Sequence, residues 1–235
     1  MNYLKPSFNG ACISDNAWDD VLNKGLYALT VPNKWVVEKL SFFQRLNKGA
    51  FLDLGCGLGR HIEPLIGALR LSVGLDISDT AIRKARSRIK SDSSTACVVK
   101  GFIDNLPFKN EVFGSVLAWR CLYLQDLEGI IRTIAEIRRV LCPDGQIICS
   151  VRSTTNTLYY IGKEKGKEIE KNTFHFPDED FHGVNYHFFT ENEIYRLFHG
   201  FKIKNLFSTT LTHTSFTVNQ PNRTNDFWVF TARKR

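Results

Sequence analysis

The sequence predicts one α/β domain built on a doubly wound, mostly parallel sheet of seven strands. Short apolar runs suited to buried strands alternate with segments of helical periodicity between residues 50 and 151, an order that requires right-handed crossovers. Two further strand-like runs, 202–209 and 226–233, look like a final strand pair. Doubly wound sheets bind ligands at the carboxyl ends of their strands. Functional side chains are therefore expected directly after residues 54, 75, 100, 118 and 151.

Each predicted element has a local signal. The five strands of the alternating region are the runs AFLDLG, LSVGLD, ACVVK, VFGSVLAW and QIICSV. Apolar residues at helical spacing predict helices over 33–46, 58–70, 78–90, 127–141 and 190–201. Asn33, Ser78 and Thr190 stand where N-caps belong. Pro64 is tolerated only early in a helix, so the second of these helices must begin near Arg60.

Composition indicates a globular protein of the cytoplasm. Of the 235 residues, 43% are hydrophobic and 23% are charged, which excludes general disorder. No apolar run approaches the roughly 20 residues that a membrane helix needs, and the start MNYLKPSFNG lacks the features of a secretory signal. The six cysteines are scattered without a CxxC pair, which favours reduced thiols and hence a cytoplasmic location.

The net charge of +7 raises the question of a polyanionic partner such as RNA. The positive residues are spread over RKARSRIK, IRRV, GKEKGKEIEK and the terminal RKR, and the first three segments match solvated helix faces or loops. Charge alone therefore does not favour a nucleic-acid partner, although it leaves one open.

Three glycines at alternate positions follow the first predicted strand, and an acid ends the second. Without β-carbons, Gly55, Gly57 and Gly59 allow the backbone to pass close to a ligand and to adopt positive φ. A carboxylate at Asp76 can accept two hydrogen bonds from a ribose diol, and Ile77 offers an apolar face to adenine. The alternative is that the glycines only make a tight turn. The continuous order of strand, glycine loop, helix, strand and acid favours an adenosine-containing cofactor.

The spacing of these motifs selects among adenosine cofactors. Gly-x-Gly-x-Gly differs from the Gly-x-Gly-x-x-Gly of dinucleotide sites, and no GxxxxGK[ST] motif is present. The segments DLGCGLG, GLDIS, LPFKNEVFGSVLAW and IAEIRRVLCPDGQIICSV resemble the class I S-adenosylmethionine-dependent methyltransferases, particularly their small-molecule branch. The resemblance is strong over residues 48–151 and continues weakly through HFFTENEIYRLFHGFKI.

The resemblance implies a Rossmann-like methyltransferase fold with S-adenosylmethionine as cofactor. The glycine-loop backbone would receive the methionine portion, and Asp76 would hold the ribose hydroxyls. Asp53 would favour the positive end of the cofactor, unless its carboxylate is instead bonded to loop N–H groups. Cys56 would be a small loop residue close to the cofactor, because nothing adjacent would ionise its thiol.

The sequence departs from the family pattern at GFIDNLPF, where an aspartate usually reads the adenine amino group. Phe102 stands at that position. Either Phe102 packs on the adenine and the Ile103 backbone reads its edge, which we favour, or Asp104 moves in to replace the missing carboxylate. Further along, in WRCLY, we expect Trp119 to lie against the cofactor and Tyr123 nearer the substrate.

The acceptor side is less well defined. Tyr123, Arg152 and His187 are the polar residues expected near a methyl acceptor, and His187 and Tyr123 are the candidates for catalysis. His187 could equally be a structural hydrogen-bonding partner. His175, His182 and His187 do not have the spacing of a compact metal site, so no metal is expected.

The domain organisation follows from these assignments. The whole chain, 1–235, is expected to be a single methyltransferase domain, in which 48–151 is the cofactor-binding core. Residues 1–47 and the aperiodic segment 152–189 are expected to form a lid, and 190–235 a C-terminal helix and strand pair. Six aromatic residues could line a pocket under the lid or form its own core: Trp18, Tyr27, Tyr159, Tyr160, Phe174 and Phe176.

The predicted function is transfer of a methyl group from S-adenosylmethionine to a small-molecule acceptor by in-line displacement. Holding the acceptor and the methyl group in near-attack geometry would supply most of the rate. The alternatives are an RNA or protein methyltransferase that uses the basic surface, and a cofactor-binding module without catalysis. The protein is expected to work away from membranes, as a monomer or homodimer.

Overall fold

A computed structural model describes residues 15–25, 28–46, 49–66, 71–89, 94–176, 184–210 and 224–235. The main sheet has seven strands in the spatial order β3-β2-β1-β4-β5-β10-β9. Their bounds are β1 Ala50–Leu54, β2 Ser72–Asp76, β3 Ala96–Lys100, β4 Phe113–Trp119, β5 Leu141–Arg152, β9 Phe201–Thr210 and β10 Asp226–Lys234. All pairs are parallel except those that β10 makes with β5 and β9. The predicted fold class is confirmed.

The strand order reverses at β1, which places the ligand site. β1 pairs with β2 on one side and with β4 on the other, with Leu54 opposite both Leu75 and Ala118. The loops that leave these three strands therefore start side by side. At such a reversal the connections run to opposite faces of the sheet and leave a crevice at its edge.

The helices surround this sheet. They are α1 Asp15–Asn23, α2 Lys34–Leu46, α3 Asp79–Arg88, α4 Leu127–Val140, α5 Thr157–Lys165 and α6 Glu191–Leu197. The three predicted N-caps are confirmed, because the side chains of Asn33, Ser78 and Thr190 accept hydrogen bonds from backbone N–H groups in the first turns. None of the helices within the described residues is both long and apolar enough to cross a membrane.

The predicted helix over 58–70 is wrong for the part that the structure describes. The chain after the glycine loop forms turns and one short 3₁₀ helix, Glu63–Leu65, with Pro64 near its start. Ile66 is already extended, at φ −61° and ψ 128°. Pro64 lacks the N–H that an α-helical bond to residue 60 would use. Burial of Ile62 and Leu65 against the core accounts for the apolar spacing without an α-helix.

The segment after β5 contains more structure than its aperiodic sequence indicated. Besides α5 it forms a small antiparallel sheet of β6 Lys167–Glu170, β7 Thr173–His175 and β8 Asn185–His187, in that order. The rings of Tyr159, Phe174 and Phe188 pack against each other with centroids 5.5–6.0 Å apart. Phe174 and Phe176 are buried, which makes them core residues of this segment. Tyr160 is 56% exposed, and Tyr27 lies outside the described residues.

Two hydrophobic clusters pack against opposite faces of the sheet. Side chains alternate along a strand, so neighbouring residues enter different clusters. On β4, Val116 and Ala118 pack into the larger cluster, which contains α4 and the aromatic residues of the segment after β5. Leu117 and Trp119 pack into the smaller one, beneath α2. Asp53 alternates with Leu52 and Leu54 of the larger cluster, which places its carboxyl on the α2 side of the sheet.

Candidate functional site

The glycine loop after β1 has the backbone that only glycine adopts readily. Gly55, Gly57 and Gly59 have φ of 61°, 52° and 74°. A β-carbon on Gly55 would lie 2.7 Å from the Cβ of Cys121, and one on Gly59 would lie 3.2 Å from the Cβ of Ala85. A β-carbon on Gly57 would meet nothing within 4 Å. The outer two glycines therefore serve close packing, and Gly57 borders open space.

Asp76 ties this loop to the adjacent strand. Its Oδ2 accepts a hydrogen bond from the Gly57 N–H at 2.9 Å, and its Oδ1 accepts one from the Ser78 N–H at 3.0 Å. Burial raises the pKa of Asp76, while these backbone donors act to lower it. Each carboxylate oxygen can accept more than one hydrogen bond. The Asp76 side chain thus positions the loop, and its oxygens can still accept hydrogen bonds from the two hydroxyls of a ribose.

Asp53 lies beneath the loop with an unused polar atom. The side chain is 1% exposed, and its Oδ2 has no hydrogen-bond partner among the described residues. Burial raises its pKa to about 8, the positive charge of Arg60 opposes this rise, and the negative charge of Asp76 adds to it. A buried carboxyl in this state would gain from a positive group brought next to it. This oxygen fits the cationic portion of S-adenosylmethionine.

The predicted adenine side contains an exposed aromatic ring. Phe102 is 45% exposed, directly after Gly101, whose N–H donates to the Asp76 carbonyl oxygen at 3.0 Å. Asp104 instead forms an ion pair with Arg132 at 3.0 Å. Asp104 is therefore engaged within the protein, and the packing of Phe102 on adenine stays a prediction. Ile77 and Ile103 are partly buried beside these residues in the chain.

Two residues predicted near the cofactor have well-defined packing. The Trp119 ring lies 6.1 Å from that of Trp35 and 6.4 Å from that of His61, beneath α2. Its Nε1 is buried without a hydrogen-bond partner among the described residues. Cys56 is buried, and desolvation, followed by the negative charges of Asp76 and Asp53, raises its thiol pKa. Cys56 is therefore a packed loop residue and has no nucleophilic character.

The predicted acceptor residues divide into two kinds. His187 is fully buried, with Nδ1 2.6 Å from Thr173 Oγ1 and Nε2 3.3 Å from Glu193 Oε2, so both ring nitrogens are engaged within the protein. This geometry is that of a structural histidine and is unfavourable for a general base. Tyr123 is also fully buried, but its hydroxyl has no hydrogen-bond partner among the described residues. The two side chains adjoin through the backbone, where His187 N–H donates to the Tyr123 carbonyl at 2.9 Å.

Arg152 lies at the end of β5 and is fully buried. Its guanidinium carbon is 5.0 Å from the centroid of the Tyr123 ring, 5.4 Å from that of Tyr186 and 5.1 Å from that of Phe227. Nη1 donates to Asn225 Oδ1 at 2.8 Å. Cation–π contacts of this kind are strongest where water is excluded. Arg152 therefore places a buried positive charge among three aromatic rings at the end of β5.

Three residues of the site were missed by the sequence reasoning. Asp19 of α1 accepts hydrogen bonds from the Ser78 hydroxyl and from the Thr80 N–H, so it fastens the N-terminal helix to the start of α3. Arg60 and Arg120 follow the glycine loop and β4. Arg120 stands directly after a predicted strand end and Arg60 at the end of the glycine loop, where the rule for parallel sheets could have found them. The contact of Asp19 is between residues distant in sequence and carries no local signal.

No group of three or more potential metal ligands occurs in the part of the chain that the structure describes. His175 Nδ1 lies 2.9 Å from Asn185 Oδ1, and His187 has the partners given above. His182 lies outside the described residues.

Comparisons with known proteins find a methyltransferase domain in this chain. Residues 51–145 match a family model described as a methyltransferase domain. The chain is 27% identical over 152 residues to a demethylmenaquinone methyltransferase of Staphylococcus saprophyticus, covering 55% of this chain and 64% of the relative. It is 30% identical over 99 residues to a malonyl-[acyl-carrier protein] O-methyltransferase of Erwinia pyrifoliae, covering 42% and 36%. The chain thus spans less than two thirds of the length of these relatives.

Solved structures share the fold over most of the chain. A SAM-dependent methyltransferase of Methanosarcina mazei superposes with a TM-score of 0.67 at 23% identity, covering 80% of this chain and 93% of the other. The magnesium protoporphyrin IX methyltransferase of Synechocystis, solved with bound SAH, gives 0.61 at 19% identity, covering 94% and 84%. Residues 51–145 therefore match a methyltransferase domain, and most of the chain shares the fold of the S-adenosylmethionine-dependent methyltransferases. The resemblance predicted from the sequence is confirmed over this domain.

Proposed function

We propose that this protein transfers a methyl group from S-adenosylmethionine to a small-molecule acceptor. The observation that carries the proposal is the open glycine loop, in which Gly57 borders free space while Asp76 holds its N–H and Asp53 presents an unpartnered buried oxygen. A loop that served only as a turn would not need open space beside Gly57, with Asp53 and Asp76 next to the loop. The relatives named above include methyltransferases of small molecules, which supports the same class of acceptor.

We assign separate roles to the residues around the loop. The Gly55, Gly57 and Gly59 backbone binds the methionine portion, and Asp76 binds the ribose hydroxyls. Asp53 lies next to the positive end, and Phe102 covers the adenine. When bound in this way, the cofactor would supply a methyl group on its positively charged sulfur. The acceptor's electron pair would form the new bond to that carbon while the carbon–sulfur bond breaks, and S-adenosylhomocysteine would leave with a neutral thioether sulfur.

On the acceptor side, the protein's contribution is orientation and exclusion of water. Tyr123 and Arg152 are buried at the ends of β4 and β5, where their polar atoms can reach an acceptor. Well-oriented reactants gain most of their rate from such positioning. Of the two catalytic candidates, Tyr123 has a hydroxyl without a partner among the described residues, whereas His187 is engaged on both sides. We therefore propose Tyr123 as the acceptor contact and His187 as its structural support.

The segment 152–189 and the N-terminal residues 1–47 are proposed to form the lid, with 48–151 as the cofactor core and 190–235 completing the sheet. The Asp19 contacts to Ser78 and Thr80 support this, because they bring α1 directly beside Asp76. A location in the cytoplasm is supported by the described cysteines, which are all free thiols.

Among the described residues, basic side chains at the surface are often paired, as in Arg88–Glu63 and Lys100–Asp79. Such pairing does not favour an RNA-binding surface. A non-catalytic module would keep the cofactor site without turnover, so the experiment below separates it from an enzyme.

Equilibrium dialysis with labelled S-adenosylmethionine tests the cofactor assignment. Asp76→Ala removes the ribose acceptor and loosens the loop, so we expect at least a tenfold weaker affinity, since hydrogen bonds to a charged group contribute about 1.5–3 kcal/mol each. Asp79→Ala is the matched control, because Asp79 is an exposed acid three residues further on. Undiminished binding by Asp76→Ala would overturn the ribose role. Release of S-adenosylhomocysteine with thiols, phenols, carboxylates, amines or RNA then identifies the acceptor class.

A further inference from the structure

Three arginines meet at the carboxyl edge of the sheet, and we call Arg60, Arg120 and Arg152 the arginine cluster. Arg60 lies beyond the glycine loop that leaves β1, Arg120 directly follows β4, and Arg152 is the last residue of β5. These three strands are neighbours in the sheet. Arg120 and Arg152 lie over one ring, with guanidinium carbons 5.2 Å and 5.1 Å from the Phe227 centroid. Two guanidinium groups around one ring concentrate positive charge at this edge, and such a concentration favours an anion.

The backbone at Arg120 is held in an unusual conformation. Its φ of 64° lies in the left-handed region, which non-glycine residues rarely occupy. The Arg120 N–H donates to Ser150 Oγ at 3.0 Å, which helps to hold the turn. Its side-chain Nε is buried and has no hydrogen-bond partner among the described residues. Strained backbone of this kind concentrates at functional sites, because the surrounding structure must maintain it.

Arg60 adds a second positive charge to the same space. Its Nη1 donates to the Val31 carbonyl at 3.2 Å. Burial, and then the charge of Arg120, lower the pKa of Arg60 to about 10, so the two guanidiniums sense each other. Neither Arg60 nor Arg120 forms an ion pair with a carboxylate among the described residues. Asp53 acts on Arg60 from a distance, but its own pKa of about 8 leaves it mostly protonated at neutral pH.

Tyr123 completes the polar surroundings. The Arg152 guanidinium carbon is 5.0 Å from the Tyr123 ring, which in turn lies 5.9 Å from the Phe227 ring. The Tyr123 hydroxyl is buried and lacks a partner among the described residues. Guanidinium groups and a phenolic hydroxyl are all hydrogen-bond donors, and the planar fork of arginine matches carboxylate and phosphate oxygens.

Building on the proposed methyl transfer, we propose that the acceptor carries an anionic oxygen group, a carboxylate or a phosphate, which Arg60, Arg120 and the Tyr123 hydroxyl bind at the end of β4. The aromatic rings of Tyr123 and Phe227 provide an apolar wall for the rest of the molecule. An acceptor of this class would relieve the repulsion between the arginines and use the unpartnered donors.

Binding of matched probe pairs tests this proposal without requiring the true acceptor. The full chain is saturated with S-adenosylhomocysteine and titrated with benzoate and benzamide, hexanoate and hexanamide, and phenyl phosphate and phenol, with affinities measured by ligand-observed NMR. We expect at least one anion to bind about tenfold or more tightly than its neutral partner, as charge-assisted hydrogen bonds are stronger than neutral ones. The carboxylate and phosphate pairs distinguish the two sources of anionic oxygen.

Variants locate the anion. Arg120→Gln should weaken the preferred anion about tenfold or more and leave its neutral partner unchanged, while Arg120→Lys should retain part of the preference because the charge remains. Arg86→Gln is the matched control, because Arg86 is an exposed arginine on α3. Thermal unfolding confirms that each variant is folded. Equal binding of anions and neutral partners, binding of no probe, or an Arg120→Gln variant that keeps the preference would overturn the proposal.

The same titrations separate this inference from the proposed function. Affinity for S-adenosylhomocysteine is measured first, for the wild type and for each variant. Failure to bind it would contradict the cofactor role, and the probe pairs could still be tested on the free protein. Normal cofactor binding without anion preference would contradict only the acceptor class.

Discussion

Replacing Asp53 by asparagine tests the electrostatics of the site through stability. Asp53 has a pKa of about 8 in the folded protein because it is buried, whereas an aspartate in an unfolded chain titrates near 3.9. The folded state therefore holds a proton that the unfolded state has lost. The stabilisation is complete below pH 3.9 and disappears as the pH rises through 8. Between these values the free energy of unfolding falls by about 1.4 kcal/mol per pH unit.

His61 contributes the opposite slope at lower pH. It is buried, its Nε2 accepts a hydrogen bond from the Asn33 N–H at 3.3 Å, and burial followed by the charge of Arg60 lowers its pKa to about 3. An unfolded histidine titrates near 6.5, so this group destabilises the fold as the pH falls below that value. The two slopes nearly cancel between pH 4 and 6.5. From pH 6.5 to 8 the titration of His61 no longer opposes that of Asp53, and the contribution of Asp53 amounts to a loss of about 2 kcal/mol.

The assay is urea unfolding followed by tryptophan fluorescence at intervals from pH 6.5 to 8.5. Wild type should lose about 2 kcal/mol up to pH 8 and then level off, while Asp53→Asn should stay nearly constant. Asp79→Asn serves as the control, because Asp79 is exposed and should follow the wild type. Parallel curves for wild type and Asp53→Asn would refute the assignment of a raised pKa to this carboxyl.

Two further predictions concern the loop and the buried histidine. Gly57→Ala and Gly25→Ala both place a β-carbon at positive φ in open space, at 52° and 77°, so each should lose about 1–2 kcal/mol of stability. Only Gly57→Ala should also weaken S-adenosylmethionine binding by tenfold or more in calorimetry, and equal affinities would contradict the placement of the cofactor. His187→Gln and Thr173→Val should each lower the free energy of unfolding by about 1–3 kcal/mol without changing cofactor affinity. With any acceptor that turns over, loss of the acidic limb of the pH–rate profile in His187→Gln alone would instead mark His187 as the base.

The cofactor side was accessible from the sequence because its signals are local. Each of its features can be recognised from a few consecutive residues. The loop glycines have positive φ, Ser78 is an N-cap, and Asp76 is an acid at the end of a strand. Because parallel strands bring their carboxyl ends to one edge of the sheet, these features are expected to lie close together there. Reasoning from local pattern also explains why the predicted helix over 58–70 is wrong. The apolar residues there have helical spacing, but that spacing reflects the burial of Ile62 and Leu65 in the core.

The acceptor side depends on contacts between distant segments. The three strands of the small sheet are short and carry no regular alternation, so they are recognised only by their pairing with one another. His187 had two open interpretations in the sequence, and Thr173 and Glu193 are what give its ring a structural environment. Neither pairing can be read from spacing along the chain.

The sequence by itself determined the class of sheet, the positions of its five parallel strands along the chain and the glycine loop with its acid, because short-range backbone chemistry specifies these features. Two features were decided only by the tertiary structure. Asp53 is buried with one carboxyl oxygen that has no hydrogen-bond partner among the described residues, and the arginine cluster lies at the carboxyl edge of the sheet. Burial and charge proximity depend on which segments pack together in space. Burial and charge proximity therefore determine the pKa values and the binding preferences of the site, and neither can be predicted from a local sequence pattern.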